Sequence, residues 1–112
     1  AALLLDSGRV VKGANQENAA YPSGLCAERT AMFAASTYHP DAKVRAIAIT
    51  AVDKDGEMLP TPTYPCGACR QVMAEYEMLA NEPMKIIVGS KNAIEVFDGV
   101  RSIMPFIFDN LK

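Results

Sequence analysis

Three cysteines and one glutamate are the residues of this chain whose types and spacing could do chemistry. Cys66-Gly67-Ala68-Cys69 is a C-x2-C motif that follows Pro65 and opens a segment with helical patterning. At i and i+3 the two sulfurs project to one side of a first helical turn. The motif alone leaves three readings open: a thioredoxin-like redox pair, half of a zinc site, or two buried thiols. Cys26 stands at the start of the other helix-like segment. If both helices lie on one face of a sheet and point the same way, their N-termini meet and three sulfurs surround one ion. Structural zinc sites fill four positions, whereas catalytic sites leave the fourth to water or substrate. Three cysteine ligands with no fourth candidate therefore point to catalysis. The single histidine, His39, falls at the far end of the first helix, before Pro40, and reads as a surface loop residue.

The neighbours of Cys26 fit a metal. Three thiolates and Zn2+ carry a net negative charge that is costly to bury unrelieved. Two helix N-termini aimed at the site each offer about half a positive charge, and Arg29 is placed to hydrogen-bond the thiolates. Glu28, two residues from a ligand, can reach a metal-bound water without binding the metal. Zinc lowers the pKa of such a water from about 15.7 toward 7, so a nearby carboxylate can act as general base. A first-turn glutamate that complements the helix dipole is the plainer reading. Cys26 beside it and the C-x2-C downstream favour the base.

The elements that must position these residues follow from periodicity and breakers. Residues 1–5 and 9–14 read as two strands joined by a tight turn at Asp6-Ser7-Gly8. Pro22-Ser23-Gly24 breaks the chain, with Ser23 as a candidate helix N-cap. Residues 25–38 are rich in Ala, Met, Glu and Arg, good helix formers, and stop at His39-Pro40. Residues 44–52 alternate and carry Val44, Ile47, Ile49 and Thr50, a strand that ends in the turn Asp53-Lys54-Asp55-Gly56. From Cys69, Val72, Met73, Tyr76 and Leu79 form a helical stripe with Glu75 and Glu77 outward. Residues 84–88 and 94–97 are two further strands, and the apolar tail 102–108 is broken by Pro105. Strands that alternate with helices predict an α/β sandwich with a mixed sheet.

Composition narrows the partners. Eleven basic residues, scattered, against thirteen acidic ones, with a pI near 5.3, leave no basic groove for nucleic acid. No apolar run approaches the roughly 20 residues of a membrane span, and no signal peptide is visible. The 112 residues fit one domain, 1–112, large enough to bury a core without disulfides. The chain opens without Met part-way through an apolar run, so an upstream helix and the start of the first strand are expected beyond it. Three cysteines without a secretion signal suit reduced thiols or metal ligands in the cytoplasm.

Cys26-Ala27-Glu28-Arg29-Thr30-Ala31 together with Pro65-Cys66-Gly67-Ala68-Cys69-Arg70-Gln71-Val72 resembles the zinc-dependent cytidine deaminases. A Cys or His ligand two residues before Glu, followed by P-C-x-x-C, is a known zinc deaminase signature that this chain matches. Asn15-x-Glu17-Asn18-Ala19-Ala20-Tyr21 looks like the ribose-binding segment of the nucleoside deaminases. With three cysteines in a short chain, the site is similar to that of the small homotetrameric type; the larger dimeric type carries His where this chain has Cys26. The resemblance implies a three-layer α/β/α fold with a central mixed sheet and active sites shared between subunits. It implies one zinc per chain, held by Cys26, Cys66 and Cys69, with Glu28 as proton shuttle and Arg29 supporting the thiolates. Asn15 and Glu17 would hold the ribose 3′-hydroxyl, and the Ala27 backbone would contact the pyrimidine. Ala19 and Tyr21 would reach into a neighbour's site, and Phe108 would line another subunit's pocket. The family's base-stacking aromatic would lie upstream of Ala1.

The implied reaction is hydrolysis of cytidine and 2′-deoxycytidine to the uridine forms plus ammonia, a step of pyrimidine salvage. A deaminase of modified cytosine nucleosides or of an antibiotic like blasticidin S is the nearest alternative, disfavoured by the N-x-E-N segment. A non-catalytic zinc-binding or thiol redox protein built on Cys66 and Cys69 is the rival from another class, and it leaves Cys26-x-Glu28 unexplained.

Overall fold

The computed structural model describes residues 1–109. Strands β1 (Ala2–Leu5) and β2 (Val10–Lys12) form the expected hairpin, with β2 shorter than residues 9–14; Gly13 still exchanges hydrogen bonds with Ala1, and the chain departs after it. Helix α1 (Ala27–Tyr38), strand β3 (Val44–Thr50), helix α2 (Gly67–Ala80) and strands β4 (Lys85–Gly89) and β5 (Ile94–Asp98) follow. The sheet order is β2-β1-β3-β4-β5. Among the described residues only β3 and β4 are parallel, joined by α2; the other pairs are antiparallel, which makes the sheet mixed.

One register row shows where the core lies. Leu3, Ile47, Ile86 and Phe97 stand side by side across β1, β3, β4 and β5. With Leu5, Ile49 and Val88, which point the same way along each strand, they face Ala31, Met32 and Ala35 of α1 and Cys69 and Met73 of α2 in one apolar cluster. Both helices therefore cover the same face of the sheet. The fold is α/β as expected, and the described residues supply the sheet and one helical layer of the three-layer arrangement. The opposite face, with Leu4, Ala48, Ile94 and Val96, is exposed.

Both helices begin at a cysteine. Cys26 is the N-cap of α1 and Cys66 that of α2, each in extended backbone, and neither thiol makes an N-capping hydrogen bond. Ser23 does not cap α1: Pro22 and Ser23 are taken up in a single 3-10 turn, Tyr21–Ser23, and the helix starts beyond it. The buried stripe of α1 is Glu28, Ala31, Met32 and Ala35, so Glu28 heads an apolar face at i, i+3, i+4, i+7 spacing. The buried stripe of α2 is Cys69, Met73, Ala74 and Ala80, and Leu79, expected within it, is 74% exposed. Glu77 does not point to solvent either. Its Oε1 accepts the Met84 N–H at 3.0 Å and the Val100 N–H at 2.7 Å, which pins β4's approach and the following 3-10 turn, Val100–Ser102, to α2. A half-buried carboxylate is tolerated here because two backbone donors would otherwise go unpaired.

Candidate metal centre

Because α1 and α2 lie on one face and start at the same end, their N-termini bring Cys26 and Cys66 together across 40 positions of sequence, with their sulfurs 3.7 Å apart. The three cysteine sulfurs, of Cys26, Cys66 and Cys69, all lie within 4.8 Å of one another. Sulfurs around a tetrahedral zinc at Zn–S of about 2.3 Å stand about 3.8 Å apart, so the observed spacing fits one ion. His39 takes no part: it is the C-cap of α1, about 20 Å of helix rise from Cys26.

The electrostatics around the sulfurs are uneven. Burial pushes the Cys69 thiol well above its ordinary value; the Arg29 hydrogen bond opposes this, while the charges of Glu28 and Cys66 add to it. Burial also acts to raise Cys66, but the N–H groups of Cys69 and Ala68 and the sulfurs of Cys69 and Cys26 outweigh it, and the thiol lies below its ordinary value. These N–H groups belong to the first turn of α2, whose dipole favours a thiolate there. The Arg29 Nη2 donates to the Cys26 sulfur at 3.5 Å. Hydrogen bonds to Cys26 and then Cys69 hold the guanidinium protonated even more firmly than usual, with burial opposing. Its Nε is buried without a hydrogen-bond partner among the described residues, an unspent donor beside sulfurs that turn anionic when they bind a dication.

Glu28 is 7% exposed, and its carboxylate has no hydrogen-bond partner among the described residues. An acceptor so placed, one helical residue past Ala27 and beside Cys69, is free to take a proton from whatever enters the site. Asn15 arrives from the segment after β2. Its Oδ1 accepts the Ala27 N–H at 2.8 Å, which fixes the amide's orientation and leaves both Nδ2 donors to face a ligand. Glu17 is exposed two residues on, and Gln16 between them pairs with Leu25 through backbone hydrogen bonds of 2.8 and 2.9 Å in both directions. A cavity of ≈ 290 Å³ opens between Asn15, Glu17, Tyr21, Leu25, Cys26 and Arg29.

The residues expected at subunit contacts are not core residues. Ala19 is exposed, Tyr21 is 88% exposed and Phe108 62%. The Phe108 carbonyl accepts a hydrogen bond from Gln71 Nε2 at 2.8 Å, which brings the tail back to α2.

A family model described as the cytidine and deoxycytidylate deaminase zinc-binding region matches residues 1–81. The chain belongs to this family. It is 52% identical over 75 residues to a cytidine deaminase of Halalkalibacterium halodurans, a match that covers 67% of this chain and 52% of that protein. It is 41% identical over 88 residues to a cytidine deaminase of Mycobacterium tuberculosis, covering 76% of this chain and 61% of the other. The chain thus spans between about half and three fifths of the length of these curated relatives. A crystal structure of cytidine deaminase from Burkholderia pseudomallei matches with a TM-score of 0.76 at 31% identity, covering 96% of this chain and 78% of that one.

Within this deaminase-family fold, two residues at the centre escaped the sequence reading. A Cβ on Gly13 would stand 2.5 Å from the Ala27 carbonyl oxygen and 2.5 Å from the Ala31 nitrogen. Only glycine lets the end of β2 lie against the first turns of α1 and so bring Asn15 to Ala27. The signal was present as a lone glycine at a strand end. Arg70 is the second, and its partners are backbone carbonyls that no side-chain pattern announces.

Proposed function

We propose that this chain catalyses hydrolytic deamination of cytidine and 2′-deoxycytidine to uridine and 2′-deoxyuridine with release of ammonia, as a step of pyrimidine salvage. The observation that carries the reading is a buried, unpartnered carboxylate, Glu28, beside three sulfurs that fit one zinc ion. Cys26, Cys66 and Cys69 would hold the zinc, which when bound supplies Lewis-acid chemistry that makes a water nucleophilic near neutral pH. Glu28 then has two proton transfers to perform, first to pyrimidine N3 and then to the amino nitrogen that leaves C4. The water oxygen replaces that nitrogen, so cytidine plus water balances uridine plus ammonia. Arg29 keeps the sulfurs' charge tolerable through its hydrogen bond to Cys26.

The Ala27 backbone lies beside the pyrimidine in this reading. With its amide oriented by the Oδ1 bond to Ala27, Asn15 donates through Nδ2 to a sugar hydroxyl while Glu17 accepts a hydrogen bond from it, which selects a group that is donor and acceptor at once. The N-x-E segment favours a nucleoside over a cytosine antibiotic for this reason. Ala19, Tyr21 and Phe108, exposed on one copy, serve the sites of neighbouring copies in a homotetramer. Among the described residues no helix is long and apolar enough to cross a membrane, and three unpaired thiols suit the reducing cytoplasm.

The test is ultraviolet measurement of cytidine and deoxycytidine conversion by the zinc-loaded protein, with and without a chelator. Conversion that the chelator abolishes is the expected result. No conversion with one zinc per chain in place would sink the nucleoside assignment.

A further inference from the structure

We infer that Arg70 is the positioning residue of the Cys66 ligand and joins that ligand to the C-terminal segment. Cys66 is the most exposed of the three cysteines and sits in the N-cap, where its carbonyl takes the first helical rung while the preceding peptide lies outside the helix, so its direction depends on the two peptide planes that flank its Cα. The helix holds the following plane and the Arg70 side chain the preceding one. The Arg70 backbone N–H donates to the Cys66 carbonyl at 2.9 Å, the first rung of α2, which any residue but proline would supply. The Arg70 side-chain Nε donates to the Pro65 carbonyl at 2.9 Å, on the preceding plane. With both planes fixed, the Cα–Cβ bond of Cys66 has one direction and only χ1 remains free. The same guanidinium reaches a second carbonyl: Nη1 donates to Ile103 at 2.8 Å.

A planar fork with donors on separate edges can serve two segments at once, which an ammonium cannot do with the same geometry. The neighbouring Gln71 ties the same tail farther on, at Phe108, without touching the cysteine loop. Arg70 therefore differs from Gln71 in one respect: both hold the tail, and only Arg70 holds the ligand. The inference rests on metal binding by the three cysteines, not on the substrate's identity. Partners that orient a ligand change metal affinity about 10- to 100-fold when removed, and that is the size expected here.

The experiment measures zinc affinity of the full chain by competition with a chromophoric chelator, for wild type, R70Q, R70K and Q71A. Cobalt substitution is followed in parallel through the thiolate-to-metal absorption band. R70Q is expected to bind zinc about 10- to 100-fold more weakly with a diminished thiolate band, R70K to fall between it and wild type, and Q71A to stay within about twofold of wild type. Wild-type affinity in R70Q overturns the inference. So does a loss in Q71A as large as in R70Q, because tail docking alone would then explain both. If R70Q does not fold, R70K decides: weaker binding supports the inference and wild-type binding overturns it. A wild-type chain that binds no zinc overturns the metal centre itself, and the inference with it.

Discussion

At the start of α1 the carbonyl before the ligand Cys26 is held by a backbone N–H, whereas at the start of α2 the carbonyl before its counterpart Cys66 is held by a side chain. The two N-caps have nearly the same conformation, φ −70° and ψ 157° at Cys26 and φ −69° and ψ 170° at Cys66. Before Cys26, the Leu25 carbonyl is taken by the Gln16 N–H at 2.8 Å; after it, the Cys26 carbonyl accepts the Thr30 N–H at 3.0 Å and the Thr30 hydroxyl at 3.1 Å. Before Cys66, the Pro65 carbonyl goes to the Arg70 side chain; after it, the Cys66 carbonyl accepts the Arg70 N–H at 2.9 Å, the same first helical rung that Thr30 supplies at Cys26. The difference teaches where each half of the centre is vulnerable. Backbone pairing survives most substitutions at Gln16, while the second half depends on what stands at position 70. The first half also carries more of the chemistry, because Glu28, Arg29 and the Asn15 contact all gather at α1.

The largest expected effect tests that last point. Glu28→Gln keeps the shape of the side chain and removes its basicity, so turnover should fall by about 10³-fold or more, the upper range for a general acid–base group, with zinc content unchanged by metal analysis. Activity near wild type would remove Glu28 from the chemistry and with it the asymmetry between the helices. Gly13→Ala comes next. Its Cβ has no space against the α1 backbone, so denaturant unfolding should show a loss of about 3 kcal/mol, the usual ceiling for overpacking. An unchanged midpoint would mean that β2's end and α1 part easily, and that backbone holds Cys26 less firmly than its hydrogen bonds imply.

Tyr64→Phe should act on the Cys66 side and weakly. The Tyr64 hydroxyl donates to Glu95 Oε1 at 2.8 Å, two residues before the ligand. That hydrogen bond, then burial and the Glu95 charge, raise the phenol above its ordinary value. A group whose folded pKa is raised contributes its stability in full below the unfolded value near 10 and loses it as pH rises through the folded one. Wild type should therefore lose a little stability above about pH 10 that Y64F does not lose, seen in melting temperatures across that range. An identical alkaline profile in the two proteins would show that the bond contributes nothing. Smallest of all, Gln16→Ala should leave zinc affinity unchanged and stability within about 0.5 kcal/mol. A drop in zinc affinity as large as that expected of R70Q would erase the contrast between the two helix starts.

Much of this centre was legible in the sequence. Cys26-x-Glu28 and Cys66-x-x-Cys69 stand where helix formers begin, and a C-x2-C at a helix start places its sulfurs on one side whatever the tertiary context. The turn at Asp53 was equally local: Asp53 Oδ1 accepts the N–H groups of Asp55 and Glu57. The errors share a different origin. Glu77 reads as solvated on its own helix, and only Met84 and Val100, from segments that fold back beside it, give it donors. Arg70 reads as one more helix cation until Pro65 and Ile103 present carbonyls to it. Leu79 has the spacing of a core residue, but it lies 74% exposed and its neighbour Ala80 packs inward instead. Ser23 had the right chemistry for an N-cap and lost the position to the 3-10 turn that Pro22 favours. In each case a long-range partner or a neighbouring breaker overruled a local pattern.

The two uncapped helix starts carry a cost in robustness. Ser, Thr, Asn or Asp at an N-cap is worth about 1 kcal/mol to a helix, and this chain forgoes that gain at Cys26 and again at Cys66 to present sulfur instead. Selection for thermal resistance alone would therefore press on the two positions that metal binding cannot release. A screen that scores only folding, run without metal so that binding adds no stability, should recover serine or aspartate at residues 26 and 66, and the variants it prizes would be sturdier proteins with no metal centre.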